Sequence, residues 1–309
     1  MSTYGTFNGN PAASSPEEQH PVTRAKAPWK LSAESYLLFF TLKNLPEGVY
    51  DPLQAQWADE ALGEFKGGLG SVMIVRYLDT PVGPYDELLV MPGNFSVPQP
   101  SSSTKNIPKK AQRVSRIYVS QRTTVYNGRL NWNIPKHLAR FTFSAPPTLT
   151  GQSPPETLTV NVFPPGTKDG DGVGPFFSCT LQPWRWVPAI PVNTRYVPYS
   201  MAAAQPPIPE PAGHKEGLKK AIEGEMVDDY DTDPTKADAV YVGTDLWRAF
   251  DISASVKRAR GCWVDVKELG AKGEVNEGGS WFPEVGTWRV GAWFEEVDWR
   301  MGDVVEWKL

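Results

Sequence analysis

Short apolar runs broken by turn-forming residues dominate the chain. Ser35–Leu42 (SYLLFFTL) is almost continuously apolar, the pattern of a strand buried on both faces. Runs rich in Val, Tyr, Phe and Trp recur at Val72–Leu78, Glu87–Met91, Val114–Ser120, Leu158–Phe163 and Phe176–Leu181. Others follow at Ala239–Val242, Cys262–Lys267, Thr287–Phe294 and Val304–Lys308, and most are bounded by Gly, Pro, Asn or Asp. One segment has a helical period instead. In DPLQAQWADEALGEF, Asp51 can cap, Pro52 suits the first helical position, and Leu53, Trp57 and Ala61 recur every fourth residue.

This pattern predicts a mainly β (α+β) fold: a single domain of antiparallel sheets, sandwiched or barrel-like, with one or two short helices. Residues 1–27, rich in Ser, Pro and Ala, read as a flexible lead-in to a domain spanning 28–309. Ser144–Pro155 reads as a loop. An acidic surface excursion is expected over about 212–237, weakly helical around Glu216–Ile222.

Composition sharpens this only in places. Thirty prolines and 27 glycines disfavour long helices, and twelve tryptophans suit aromatic-lined strands or a pocket. A net charge of −4 gives no reason to expect a nucleic-acid or membrane partner, and the longest apolar run is too short to span a bilayer. The basic stretch Lys105–Arg116 (KNIPKKAQRVSR) leads into an apolar run and reads as a solvated loop before a strand. Cys179 and Cys262 lie far apart in sequence, so free thiols in a reducing, cytoplasmic setting are expected.

Most catalytic signatures are missing. GGLGSV lacks the Gly-Lys-Ser/Thr of a phosphate loop, and KDGDGVG (Lys168–Gly174) lacks the third acid and bidentate glutamate of a calcium loop. Asp228, Asp229, Asp231 and Asp233 read as solvated acids. His20, His137 and His214 have no zinc-ligand spacing. No metal and no cofactor is therefore expected.

What remains is Lys136 in GRLNWNIPKHLARF. An ordinary lysine has a pKa of about 10.4, so it attacks a carbonyl only if that value falls by several units or its proton is removed. Trp132, Ile134, Leu138 and Phe141 supply an apolar wall that would disfavour the ammonium. Pro135 could open a helical turn with Lys136 at its positive end, and His137 could add a neighbouring cation. A lysine snorkelling from a short amphipathic turn has the same local pattern.

GRLNWNIPKHLA resembles the active-site segment of the acetoacetate decarboxylase family, Gly-Arg-Glu followed by aromatic-Pro-Lys-Lys-Leu. Upstream, VGPYDELLVMPG resembles that family's Tyr-x-Glu strand. YLDTPVGPYDELLVMPG, RIYVS, NWNIPKHLARF, PFFSCTL and GTWRVGAW look closer still to its fungal-type branch, in order from about Tyr36 to the C-terminus. The resemblance implies a β-cone or barrel in which Lys136 forms the Schiff base and Glu87 orients substrate or moves protons. It places Arg129 on the arginine of Gly-Arg-Glu and Tyr85 beside Glu87. His137, Trp132 and Arg76 are further substrate-binding candidates. Three positions depart from the pattern: His137 replaces the second lysine, Leu130 the glutamate and Ile134 the aromatic. A β-keto acid or related ketone is the implied small-molecule substrate, decarboxylated as an iminium. The departures suit a bulkier secondary-metabolite substrate. A cofactor-independent cyclase, aldolase or dehydratase, or a non-catalytic binding protein, fits the same residues. A homo-oligomer is the expected assembly.

Overall fold

A computed structural model describes residues 20–101, 105–196, 201–225, 228–233, 238–267 and 281–309. The strands, in chain order, are β1 (Trp29–Leu42), β2 (Gly68–Asp79), β3 (Tyr85–Met91), β4 (Asn94–Ser96), β5 (Lys110–Gln112) and β6 (Arg116–Val119). Helix α1 (Arg122–Trp132) follows, then β7 (Lys136–Leu138), β8 (Arg140–Phe143), β9 (Leu158–Phe163), β10 (Phe177–Pro183), β11 (Ile190–Asn193) and β12 (Ala203–Gln205). Helix α2 (His214–Lys220) precedes two long strands, β13 (Trp247–Val266) and β14 (Val290–Trp307).

The fourteen strands among the described residues all belong to one sheet. Its main path runs β4-β5-β12-β13-β14-β1-β2-β3-β6-β7; off this path β10 and β11 pair with β13, β9 pairs with β10, and β8 with β9. Pairing is antiparallel except at β5–β12 and β6–β7. The predicted runs at Thr287–Phe294 and Val304–Lys308 contribute to one strand, β14, and Cys262–Lys267 is the end of the 20-residue β13.

Each face of the sheet has its own core, as strand alternation requires. On one face Val75, Tyr77, Tyr85, Leu89, Ile117 and Val119 pack under α1 through Val125, Tyr126 and Trp132. On the other, Tyr36, Leu38, Ile74, Leu88 and Tyr118 pack against Leu158, Val160 and Val162 of β9 and Cys179 and Leu181 of β10. Both cysteines are buried and unbridged in this second core.

Several sequence expectations are corrected. Asp51–Leu62 is not an α-helix but two 3-10 turns, Pro52–Ala58 and Glu60–Leu62, with non-helical torsions at Gln54 and a break at Asp59. Asp51 and Asp59 both cap through their side chains, at Leu53 N and Ala61 N, and the second cap ends the first turn. Asp238–Val240 is a 3-10 turn rather than a strand. The basic stretch is a solvated loop only in its first part, where Lys105, Asn106 and Lys109 are exposed: Arg113 and Arg116 are buried, and Arg113 lies over the Phe95 ring at 4.2 Å. The ordered chain also begins before residue 28. His20 stacks on Tyr126, Val22 is buried, and the Ala25 amide donates to Asn127 Oδ1 of α1. Residues 1–19 lie outside the described residues.

Candidate active site

Helix α1 was not legible in the sequence, because its polar side chains are turned inward. Arg122, Thr124, Asn127, Arg129 and Asn131 are all buried. It ends at Asn133, whose left-handed backbone (φ 55°) is held by hydrogen bonds from its side chain to the Pro206 and Leu246 carbonyls. The residue before a proline avoids helical torsions, so Ile134–Pro135 leads into strand β7. Lys136 therefore lies on a strand paired in parallel with β6, Ile117 opposite Lys136, rather than in a helical turn.

From β7 the Lys136 side chain enters the core beneath α1. Its Nζ donates to Glu87 Oε2 (2.8 Å), Thr124 Oγ1 (2.8 Å) and Tyr85 Oη (3.2 Å). Both ends of the pair are closed off, at 3% exposure for the Lys136 side chain and 5% for Glu87. Tyr77 Oη donates to the other carboxylate oxygen, Glu87 Oε1, at 3.2 Å. Tyr77 and Tyr85 stand directly opposite each other on β2 and β3, with ring centroids 4.5 Å apart. Space for the lysine stem comes from Gly128: a Cβ there would sit 2.7 Å from Lys136 Cδ and 2.8 Å from Cε.

The electrostatics differ from those expected of a bare buried amine. Burial is the largest single influence on Lys136 and pushes its pKa down, but the Glu87 carboxylate and Tyr85 oppose it. The net result is a pKa above the ordinary lysine value. The resting amine is an ammonium gripped by its acceptor. Burial also raises the Tyr85 hydroxyl to about 12, so it stays protonated.

His137 does not join this group. Strand alternation turns it to the other face, where Nε2 lies 3.0 Å from Gln54 Oε1 and 3.7 Å from Asp51 Oδ1. Burial brings its pKa down to about 4, with Asp51 opposing, so at neutral pH it is an uncharged imidazole and adds no cation beside Lys136. Arg129 is also directed elsewhere, to the carbonyls of Val242 (3.0 Å) and Pro209 (2.6 Å), and burial brings it down to about 10. Trp132 is a core residue, edge-on to Trp29 at 5.0 Å and donating to the Gly302 carbonyl. Arg76 leaves β2 on the face opposite Tyr77 and lies 3.9 Å over the Phe143 ring. The structure thus brings Lys136, Glu87 and Tyr85 together and separates His137, Arg129, Trp132 and Arg76 from them. Thr124 and Tyr77 complete the group. Neither carried a sequence signal, since each reaches the site only through α1 or the β2–β3 register.

Among the described residues, no three His, Cys, Asp or Glu side chains are arranged to hold a metal ion. No helix among them is long and apolar enough to cross a membrane.

No protein-family model matches the sequence, and no curated protein sequence matches it. Solved structures do match in fold. Acetoacetate decarboxylase from Legionella pneumophila aligns with a TM-score of 0.53 at 12% identity, over 97% of this chain and 98% of that one. A further acetoacetate decarboxylase structure aligns at 0.54 and 12% identity, over 96% of each chain. The enduracididine biosynthesis enzyme MppR, bound to the condensation product of pyruvate and imidazole 4-carboxaldehyde, aligns at 0.51 and 10% identity, over 91% and 90%. The chain has the acetoacetate decarboxylase-like fold.

Proposed function

We propose that this protein is a lysine Schiff-base enzyme acting on a keto acid or related ketone. The observation that carries the reading is one buried amine, Lys136 Nζ, held 2.8 Å from one buried carboxylate, Glu87, beneath α1 in this fold. Because the resting pair is charged, the first step is proton transfer from Lys136 to Glu87 as substrate enters. The neutral amine then adds to the ketone carbon, and loss of water, protonated by Glu87, gives the iminium. The iminium nitrogen withdraws the electron pair released when CO2 departs or when an α-proton is removed, and either route gives an enamine. Reprotonation at carbon and hydrolysis return the ketone and the free lysine. Thr124 and Tyr85 keep the nitrogen aimed throughout.

A specific observation favours carbon–carbon bond formation or cyclisation over decarboxylation of acetoacetate itself. Arg129 and Arg76, the expected partners for a substrate carboxylate, are engaged away from Lys136 Nζ. An enamine from a less charged ketone, attacking a second carbonyl, needs no such partner. MppR, with its bound condensation product, lends support by fold alone.

The test is α-hydrogen exchange. Incubated in D2O with a panel of methyl ketones and keto acids, the protein should deuterate the carbon next to the carbonyl, as followed by NMR. Lys136→Ala and Glu87→Gln should reduce that exchange to the uncatalysed rate. Exchange that persists in folded Lys136→Ala would refute the proposal.

A further inference from the structure

The face of β2 and β3 opposite Lys136 carries polar groups that the Schiff-base chemistry leaves unused. Glu34, Arg76 and Asp86 lie in register across β1, β2 and β3. Glu34 is fully engaged, accepting from Thr148 N and Oγ1 and from Trp293 Nε1. Arg76 is held more loosely. Its Nη1 donates to the Ala145 carbonyl, its plane lies over the Phe143 ring, the Tyr36 hydroxyl is close by, and Nε, 3.8 Å from Asp86, has no hydrogen-bond partner. Arg76 and Asp86 line a cavity of about 650 Å³.

The rest of that cavity gives it a chemical character. Arg140 lines it with Nε on Thr167 Oγ1 and Nη1 on Asp169, whose side chain is almost fully exposed. Leu78, Phe141 and Pro147 supply apolar wall. Tyr230 closes one side, its hydroxyl donating to the Pro84 carbonyl at 2.7 Å. The segment bearing Tyr230 is not merely solvated. Asp229 caps Thr123 at the start of α1, and Arg122 binds the Asp231 and Asp233 carbonyls. Cationic side chains on the lining (Arg76, Arg140, Lys168) outnumber acidic ones (Asp86, Asp231). That balance suits a monoanion. A dianion would meet Asp86 at close range, and a cation would meet the arginines.

The geometry points to a second binding site here, for a small carboxylic acid with an apolar body. The carboxylate engages the Arg76 guanidinium at the end not bonded to Ala145, with Arg140 alongside, through a charge-assisted contact. The body lies against Phe141, Leu78 and Pro147. Lys136 is not among the residues lining the cavity, and its side chain leaves the sheet on the other face. Tyr77 and Tyr85 are common to the cavity lining and the Lys136–Glu87 group, so occupancy should be sensed there.

Benzoate and its neutral isostere benzamide are the probes, titrated into the full chain by NMR and calorimetry. Benzoate should bind at millimolar concentration or below, and benzamide roughly tenfold more weakly or worse, as expected for loss of a charge-assisted contact. Arg76→Gln should weaken benzoate about tenfold, Arg76→Lys less, and Arg140→Gln by a smaller factor. Shift changes should fall on Phe141 and Ser120. Folded Lys136→Ala, or Lys136→Met if the alanine variant is unstable, should still bind benzoate in preference to benzamide. Equal binding of the two probes, no binding of either, or loss of benzoate binding in the Lys136 variants would each overturn the assignment. α-Hydrogen exchange tests the Lys136 chemistry separately, so the two claims can fail independently.

Discussion

Each face of the β2–β3 pair presents a carboxylate with a cation against it, Lys136 of β7 on one face and Arg76 of β2 on the other, and the two couples are in opposite states. Under α1, Lys136 and Glu87 are in contact at 2.8 Å with 3% and 5% of their side chains exposed. On the cavity side, Arg76 and Asp86 stand 3.8 Å apart at 12% and 30%. The first couple is desolvated and saturated: Thr124, Tyr85 and Tyr77 satisfy what the ion pair leaves over. The second is loose and partly exposed, with a cavity in front of it. A closed pair stores its chemistry until a substrate displaces one partner. An open pair is ready to receive a ligand. One sheet carries both because side-chain direction reverses at every residue.

Breaking the closed pair should have the largest effect. Glu87→Gln or Lys136→Ala leaves a buried charge without its partner and should cost about 3–5 kcal/mol in denaturant unfolding. The double variant Lys136→Met/Glu87→Gln should recover much of that loss, and a double-mutant cycle measures the coupling. Since the folded pKa of Lys136 is raised, the pair's contribution is present throughout neutral pH. It should fade only as pH rises beyond the ordinary lysine range.

Next comes the pH dependence set by His137 on the opposite face. Its folded pKa, brought down to about 4 by burial, lies below the ordinary 6.5, so the unfolded chain binds the extra proton between those values. Stability should therefore fall as pH drops from about 6.5 to 4, by up to about 3 kcal/mol. His137→Gln should remove that fall from the unfolding free energy across the window. An unchanged slope would show that the histidine is not held neutral.

Gly128 sharpens the comparison at its closed side. Alanine is the better helix former by about 1 kcal/mol, yet its Cβ would meet a lysine stem fixed by three hydrogen bonds. The overlap should win, for a net loss of about 1–2 kcal/mol. α-Hydrogen exchange should fall more steeply than stability, because the displaced atoms carry the nucleophile.

The smallest effect belongs to the open pair. Burial raises the Asp86 pKa to about 6, with Arg76 opposing, so ionising it above that pH costs stability. Asp86→Asn should gain about 1 kcal/mol at pH 7, allowing for the partly exposed side chain, and nothing below about pH 4.

The sequence carried the closed pair better than its surroundings. Strand alternation made Leu158–Phe163 readable to the residue, and the Tyr-x-Glu and Pro-Lys segments pointed to Tyr85, Glu87 and Lys136. Helix α1 escaped notice because amphipathic periodicity presupposes a polar outer face, and buried Arg122, Asn127 and Arg129 erase it. The Asp51–Leu62 segment misled in the reverse way: its fourfold apolar spacing is real, but two aspartate caps divide it into 3-10 turns. The orientation of His137, one residue from Lys136, was lost with the expectation of a helical turn. On a strand, adjacent side chains face apart. The cavity needed tertiary contacts that join residues as distant as Arg76 and Tyr230, which no local pattern encodes.

Borohydride trapping tests the central claim most directly. The protein is incubated with a panel of ketones and keto acids, reduced, digested and analysed by peptide mass spectrometry. The account predicts a reduced adduct on Lys136 with at least one ketone, absent from Lys136→Ala and diminished in Glu87→Gln. Folded protein that traps no ketone, or traps ketones only on surface lysines, would contradict it.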